Sequence, residues 1–542
     1  MANKNLFARA SKAKAADVIN EAGGRAYAFS AEHALAQYAA TGTFNTTYYA
    51  TADEQLDKVL ELAALVEPAF LAKTAVFARE RGYMKDLPAF LAAVLASKDV
   101  NLLAAVFPRV IDNAKMLRNF TQIVRSGVTG RKSFGSAPKR LARAWFASRS
   151  AENVFRASVG NDPSLADVIK LVRPVPKNEK GETDVMRQAL YGWLIGREVE
   201  ETALPPLVRA FEAFKKGESK DLPDVPFEML TALPLDASAW KRIAKNMTWT
   251  QLRMNLNTLA RHGVFEDSAL VAHVAQKLGD ATQVRRAKAF PYQLMMAFKA
   301  SDAGVPDAIT NALQKAMEVA TENVPEVNGK VYICPDVSGS MHSPVTGHRR
   351  GSTTAVRCID VAALVAASFV RKNPPSDGPR SGRGAEVIPF SDDVVPLPRR
   401  LNPYDSVLTN ADFLAKLPSG GTACSAPLKK LNAEKAKGDL VVYVSDNMSW
   451  ADFGLGFHRV GRGRATEMAN QWVRFKERNP RAKLVLIDLQ PYASTQVHDD
   501  EDVLNVGGFS DRVFEIVSLF AKGELGASHW VDVIRAIELI SA

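Results

Sequence analysis

The stretch best equipped for chemistry is Asp336-Val337-Ser338-Gly339-Ser340, a carboxylate and two hydroxyls turned by a glycine. It follows Lys330-Val331-Tyr332-Ile333-Cys334-Pro335, an apolar, β-prone run that reads as a buried parallel strand. The polar tail then falls in the loop at the strand's carboxyl end, where open α/β sheets hold their ligands. Those groups suit a hard, oxygen-seeking cation such as Mg²⁺, although an ordinary Ser/Gly turn uses the same residue types. Two further loops favour the cation. Pro418-Ser419-Gly420-Gly421-Thr422 offers a hydroxyl on a glycine hinge, and the apolar run Leu440 to Val444 leads into Ser445-Asp446-Asn447. Asp336, Ser338, Ser340, Thr422 and Asp446 would thus converge from three strand-end loops. Two carboxylates, hydroxyls and water match the octahedral shell of Mg²⁺.

A second kind of chemistry lies earlier. From Arg109 to Arg173 there are 13 basic and 4 acidic residues, a local net charge of +9. The stretch from Val331 to the end holds 25 basic and 24 acidic residues, so it is nearly neutral although the whole chain carries +10. A concentrated basic patch is a footprint for a polyanion, RNA or DNA first; a solvated basic face is the plainer alternative. Within it, a Gly/Ser-rich cationic loop from Arg125 through Arg131 and Lys132 feeds a helix carrying Lys139, Arg140 and Arg143. Ser136 reads as its N-cap and Pro138 suits its first turn. Exposed N–H groups at that helix start would add to the cations around a phosphate. Leu141 and Trp145 point into the core, and Phe134 either stacks on a base or packs under the loop. A second helix, from Ser164 with Asp167 as a capping pair to Pro174, sets Lys170 and Arg173 on one face. A smaller basic cluster, Val284 to Tyr292, fits a solvated face and an RNA contact equally.

The elements that must position these groups change character along the chain. Residues from about Ala15 to Asn323 read as helix after helix, for example Gln55 to Val66, Pro68 to Arg81, Leu87 to Ser97 and Leu102 to Ile123. Paired helices with short turns resemble an α-solenoid of HEAT type. From Lys330 strands and helices alternate, which argues for a doubly wound, mostly parallel sheet. Expected strands are Val331 to Pro335, Ala385 to Phe390, Leu440 to Val444, Leu484 to Leu489 and Val503 to Val506. A boundary falls between Glu322 and Asn328.

At 542 residues the chain exceeds one ordinary core. Its apolar runs are too short to cross a bilayer, its first residues lack the apolar core of a secretory signal, and its three cysteines form no CxxC pair. Together these fit a reducing cytoplasm and no membrane partner. No GxxxxGK[ST] loop, GxSxG elbow or HExxH helix occurs, which argues against a common hydrolase.

Asp336, Ser338, Ser340, Thr422 and Asp446 together resemble the metal-ion-dependent adhesion site of von Willebrand factor A (vWA) domains, all five positions matching. In the first half, the basic loop and helix of Arg125 to Trp145, the Ser164-Leu165-Ala166-Asp167 helix and Trp249-Thr250-Gln251-Leu252 through Leu256 resemble the TROVE module. TROVE followed by a vWA domain is the arrangement of the Ro ribonucleoprotein autoantigen family, bacterial relatives included. The resemblance implies an all-α HEAT-like solenoid over residues 1–325, closed into a toroid, and an α/β, Rossmann-like vWA domain over 326–542. It also implies a non-catalytic, monomeric protein that binds Y-type noncoding RNA on a basic outer surface. Single-stranded ends of misfolded RNAs would enter a central hole, and a 3′-exoribonuclease such as polynucleotide phosphorylase would be a partner in RNA quality control. Arg125, Arg131, Lys132, Lys139, Arg140, Arg143, Lys170 and Arg173 are the RNA-contact candidates. The alternative is a Mg²⁺-dependent protein-binding module without an RNA role.

Overall fold

The computed structural model describes residues 13–41, 44–131, 133–160, 163–178, 180–287, 289, 291–322, 324–348, 356–374, 383–453, 464–490, 492–508, 511–524 and 529–539. The described chain forms two compact units, one from residues 1–62 with 272–534 and the other from 63–271 with 535–542.

The first unit is built on a five-stranded parallel sheet. Its strands are β3 (Lys330–Pro335), β4 (Gly384–Val387), β5 (Leu440–Ser445), β6 (Lys483–Asp488) and β8 (Val503–Gly507), in the order β4-β3-β5-β6-β8. All four pairings are parallel, with Cys334 level with Tyr443 and Ser445 level with Asp488. Both faces are covered, which is why these strands read as unbroken apolar runs. Tyr332, Cys334, Val441, Tyr443, Leu484 and Leu486 face a cluster containing Leu428, Trp472 and Phe475. The helix Cys358–Lys372 is buried at every position from Cys358 to Val370, its one carboxylate in that span, Asp360, being paired with Lys299 and Arg357. The strand and helix pattern expected from Lys330 onward is therefore present, with boundaries shifted by a few residues.

The start of the chain differs from the expected run of helices. Before the helix Ala31–Thr41, strands β1 (Val18–Ile19) and β2 (Arg25–Ala28) form an antiparallel hairpin. The third strand of this small sheet is β7 (Ser494–Thr495), which pairs with Tyr27 and Ala28 of β2. Gly23 turns the hairpin with φ +83°, and Gly24 lies where a Cβ would run into the carbonyl of Ser449. Asn20 fixes the approach: its Nδ2 donates to Ser449 O at 3.1 Å and its Oδ1 accepts from Gly24 N at 2.7 Å.

The second unit is helical. Its helices include Pro68–Glu80, Asp86–Lys98, Val100–Val110, Ala114–Ser126, Ser136–Ala147 and Leu165–Val172. The single helix expected over Leu102 to Ile123 is two. Pro108 is accommodated inside the first, and the chain breaks at Ile111–Asn113, where Asn113 Oδ1 accepts from Met116 N at 3.1 Å as a new N-cap. The core of this unit includes Leu91, Leu103, Phe107, Leu117 and Phe120, each nearly inaccessible.

Candidate metal centre and nucleic-acid interface

Asp336 follows β3 and Asp446 follows β5, two neighbouring strands, so sheet order alone sets these carboxylates side by side. Asp336, Ser338, Ser340, Thr422 and Asp446 are all buried, none more than 4% exposed. Asp336 Oδ1 accepts from Ser338 N at 2.8 Å, and Asp336 Oδ2 accepts from the Ser445 hydroxyl at 2.6 Å. The Ser338 and Ser340 hydroxyls lie 3.3 Å apart, and Ser340 also bonds the Asp446 carboxylate. Gly339 N donates to Gly420 O at 2.9 Å, which brings the loop of Thr422 against the first. The Asp392 carboxylate occupies the space a Cβ would take at Gly420 and Gly421, and the Trp450 ring also lies there at Gly421.

The electrostatics of this arrangement favour a cation. Burial, and next the facing Asp446, push the Asp336 carboxyl up to about 7. Burial raises Asp446 as well, against the hydrogen bond from Ser340. Asp446 Oδ2 is buried with no hydrogen-bond partner among the described residues. Two buried carboxylates and an orphaned oxygen among hydroxyls are costly without a compensating charge. The donor set therefore fits one hard divalent ion, with Asp336, Ser338, Ser340, Thr422 and Asp446 as the groups that would hold it. No cluster of three or more His, Cys, Asp or Glu suited to a metal occurs among the described residues.

Two neighbours of this site are not announced by the sequence. Ser445 is visible there only as the residue before Asp446. Tyr49 comes from the loop after the first helix, and its phenol is near enough to Asp446 and Ser340 for both to act on its acidity; no local pattern signals such an approach. His342 is exposed and lies 2.9 Å from Arg357 through Nδ1, outside the donor set. The three cysteines are buried free thiols.

The basic candidates fall on the helical unit. The helix Leu165–Val172 packs against both Ala114–Ser126 and Ser136–Ala147. Its capping box is present, with Ser164 Oγ accepting from Asp167 N at 3.1 Å and Ser164 N donating to Asp167 at 2.9 Å. The Ser164 hydroxyl and N–H hold Asp167 below the ordinary carboxylate range, and Lys170 and Arg125 add to this from either helix. Arg125, Arg140, Lys170 and Arg173 are exposed and Lys139 half-buried. Among the described residues none of these five is held in an ion pair. Arg173 ends its helix in the left-handed conformation, φ +52°.

Other candidates are committed to the fold. Arg143 Nε donates to Val172 O at 2.6 Å, tying one helix to the end of another. The Arg131 guanidinium bonds Ala96 O and fills the space beside Gly135. Lys132 lies outside the described residues. Ser136 is the first helical residue and not the N-cap; that place belongs to Gly135 at φ +79°, a conformation serine adopts poorly. Phe134 is 6% exposed and packs edge to face on Phe120, beneath the loop. In the smaller cluster, Arg285 is paired with Glu322 at 2.6 Å.

The fold defines a class: a helical array joined to a parallel-sheet, vWA-like domain. Its relatives are particular. Residues 330–521 match the model of the Ro60 vWA domain. Over 94% of its length the chain is 24% identical to the RNA-binding protein RO60 of Deinococcus radiodurans, 96% of which is covered. It is 21% identical to the RNA-binding protein RO60 of Caenorhabditis elegans, over 75% of this chain and 61% of that one. The crystal structure of the D. radiodurans RO (RSR) protein superposes with a TM-score of 0.60 at 21% identity, covering 92% of this chain and all of that one. The resemblance to the Ro family read from the sequence is upheld, and the chain carries a vWA domain of the Ro60 kind.

Proposed function

We propose that this chain is a non-catalytic RNA-binding protein of the Ro kind. It binds small structured noncoding RNA of the Y type along the exposed basic faces of the helices Ala114–Ser126, Ser136–Ala147 and Leu165–Val172. The observation that carries this reading is the set Arg125, Lys139, Arg140, Lys170 and Arg173, four of them exposed and none in an ion pair among the described residues. Cations that make no internal ion pair are available to phosphates, and phosphate neutralisation supplies most of the affinity of such a surface. Two relatives named RNA-binding proteins support the same assignment. Single-stranded ends of misfolded RNA are the second class of ligand, and delivery to a 3′-exoribonuclease such as polynucleotide phosphorylase is the proposed use, in the cytoplasm. No helix among the described residues is long and apolar enough to cross a membrane. Crosslinking and sequencing of RNA that co-purifies from cells tests the assignment. Enrichment of small structured RNAs supports it, and RNA at background level defeats it.

The second reading concerns the other unit. A Mg²⁺ ion held by Asp336, Ser338, Ser340, Thr422 and Asp446 would supply a positive centre for a partner's oxygen ligand. The orphaned, buried Asp446 Oδ2 favours it. This reading adds a protein partner and leaves the RNA surface as it stands.

A further inference from the structure

The outer edge of the parallel sheet is open over a short, defined stretch of β4. Gly384, and Ile388 and Phe390 just past the strand, turn their N–H groups towards β3, donating to Gly329 O at 2.9 Å, Ile333 O at 2.8 Å and Pro335 O at 3.2 Å. Ala385, Val387 and Pro389 therefore turn their backbone groups outward. The two ends of that outward row are closed: Ala385 N donates to Asn373 O at 2.7 Å, and Pro389 O accepts from Val395 N at 2.8 Å. Between them, Ala385 O, Val387 N and Val387 O have no hydrogen-bond partner among the described residues. A cavity of about 290 Å³ opens beside this gap, between β4 and the returning segment from Val394 to Leu401. Its two sides differ in chemistry. Ala385 and Val387 are buried on one face of the sheet, and the apolar Val370 of the helix Cys358–Lys372 lines the cavity with them. Glu386 points to the other face, level with Tyr332 of β3, and its carboxylate lies 2.8 Å from Lys330 Nζ. The helix Ala426–Ala433 covers that face and brings Lys430 to the cavity, with Glu434 as its ion-pair partner. Arg383 and Arg400 add two more cations to the lining, in which Glu386 is the one carboxylate. Arg400 is exposed and makes no ion pair among the described residues.

We propose that this gap takes an extended, acidic peptide segment of a protein partner, added as a further strand on the outer edge of β4. One N–H donor with a carbonyl acceptor on either side of it is what another backbone needs for pairing. The closures at Asn373 and Val395 limit the added strand to a few residues. Side chains of a strand alternate between the two faces of the sheet. Those level with Val387 would lie on the apolar side, with Val370. Their neighbours would lie on the side of Lys330 and Lys430, with Arg383 and Arg400 nearby. Apolar residues alternating with Asp or Glu satisfy both sides. RNA fits the gap less well: phosphates would find the cations, but they bring no donor for the carbonyls, and no aromatic ring lines the cavity for a base to stack on. In the sheet the gap lies level with Lys330 to Ile333, and it uses none of the residues of the cation site.

The test is fluorescence anisotropy with the full chain and a labelled peptide of about five residues in which glutamate and valine alternate. Two altered peptides are compared with it: one N-methylated at its central residues, which removes the N–H donors of the added strand, and one with lysine in place of glutamate. The original peptide is also titrated against the Arg400→Glu variant, whose melting curve confirms that it is folded. The expected result is binding of the acidic peptide, weakened about tenfold or more by N-methylation, lost with lysine, and weakened about fivefold by Arg400→Glu. Equal binding of the N-methylated peptide would overturn strand addition. Equal binding of the lysine peptide would overturn the acidic character of the partner. No binding of the acidic peptide by the original protein would overturn the site. A small structured RNA that binds Arg400→Glu more weakly than the original protein would overturn the choice of a peptide as occupant.

Discussion

The Ser445 hydroxyl donates to the Asp336 carboxylate at 2.6 Å, across the carboxyl ends of two neighbouring parallel strands. The bond leaves Asp336 with both oxygens occupied, one by Ser445 and one by Ser338 N, while Asp446 Oδ2 has no partner among the described residues. The asymmetry singles out Asp446 as the carboxylate that most needs a cation. Asp446→Asn should remove the repulsion between the two acids. In chelator the variant is expected to melt no lower than the original protein, and added Mg²⁺ should no longer raise its melting temperature. A Mg²⁺-induced rise of unchanged size would place the ion elsewhere.

Asp336 titrates at about 7 in the folded chain because burial, and then Asp446, disfavour its charge. An unfolded aspartate titrates near 3.9. The folded state therefore keeps a proton that the unfolded state has released between those values. Without a cation, this group's contribution to stability is fully present below the unfolded value and is lost as pH rises towards 7. A divalent cation binds the ionised form and opposes that loss. Thermal melts with chelator and with Mg²⁺ at pH 5, 6, 7 and 8 should show a Mg²⁺-induced shift that grows with pH. A shift independent of pH would contradict the coupling.

Arg140 and Arg143 sit three residues apart on one helix and do different work. Arg143→Ala removes the donor to Val172 O and should cost about 1–2 kcal/mol in a urea titration. Arg140 is exposed and makes no ion pair among the described residues, so Arg140→Ala should leave stability within about 0.5 kcal/mol. Equal destabilisation of both variants would mean that Arg140 is also committed to the fold.

Gly24 has the Ser449 carbonyl where a side chain would begin. Gly24→Ala should destabilise the unit that contains the hairpin by about 1–3 kcal/mol, because backbone must move to admit the methyl group. Cleavage by a protease of limited specificity near residues 13–28 should then become faster. An unchanged cleavage rate and midpoint would show that the hairpin does not hold this close approach.

Much of the vWA-like unit was legible in the sequence because its signals are local. Apolar runs such as Leu440 to Val444 declare buried strands, and the Asp, Ser and Thr that follow fall in the loops at their carboxyl ends. What the letters did not carry is contact between distant segments. Strands β1 and β2 are too short for a two-residue period to stand out, and β2 finds its partner in Ser494–Thr495, far along the chain. Tyr49 likewise comes near Ser340 from far away in sequence. In the basic stretch, residue type announced the charge of Arg131 and Arg143, but only packing revealed that backbone carbonyls engage them. Residue type sets the sign of that surface, and the fold decides which cations remain for a ligand.

Binding of RNA phosphates by Arg125, Lys139, Arg140, Lys170 and Arg173 is tested most directly by filter binding. A small structured RNA is titrated across a range of salt with the original protein and with the double variant Arg140→Glu, Lys170→Glu. The expected result is weaker binding and a flatter plot of log affinity against log salt, by about 0.7–0.9 for each phosphate that is no longer neutralised. Unchanged affinity and slope in a folded double variant would contradict the assignment of RNA to this surface.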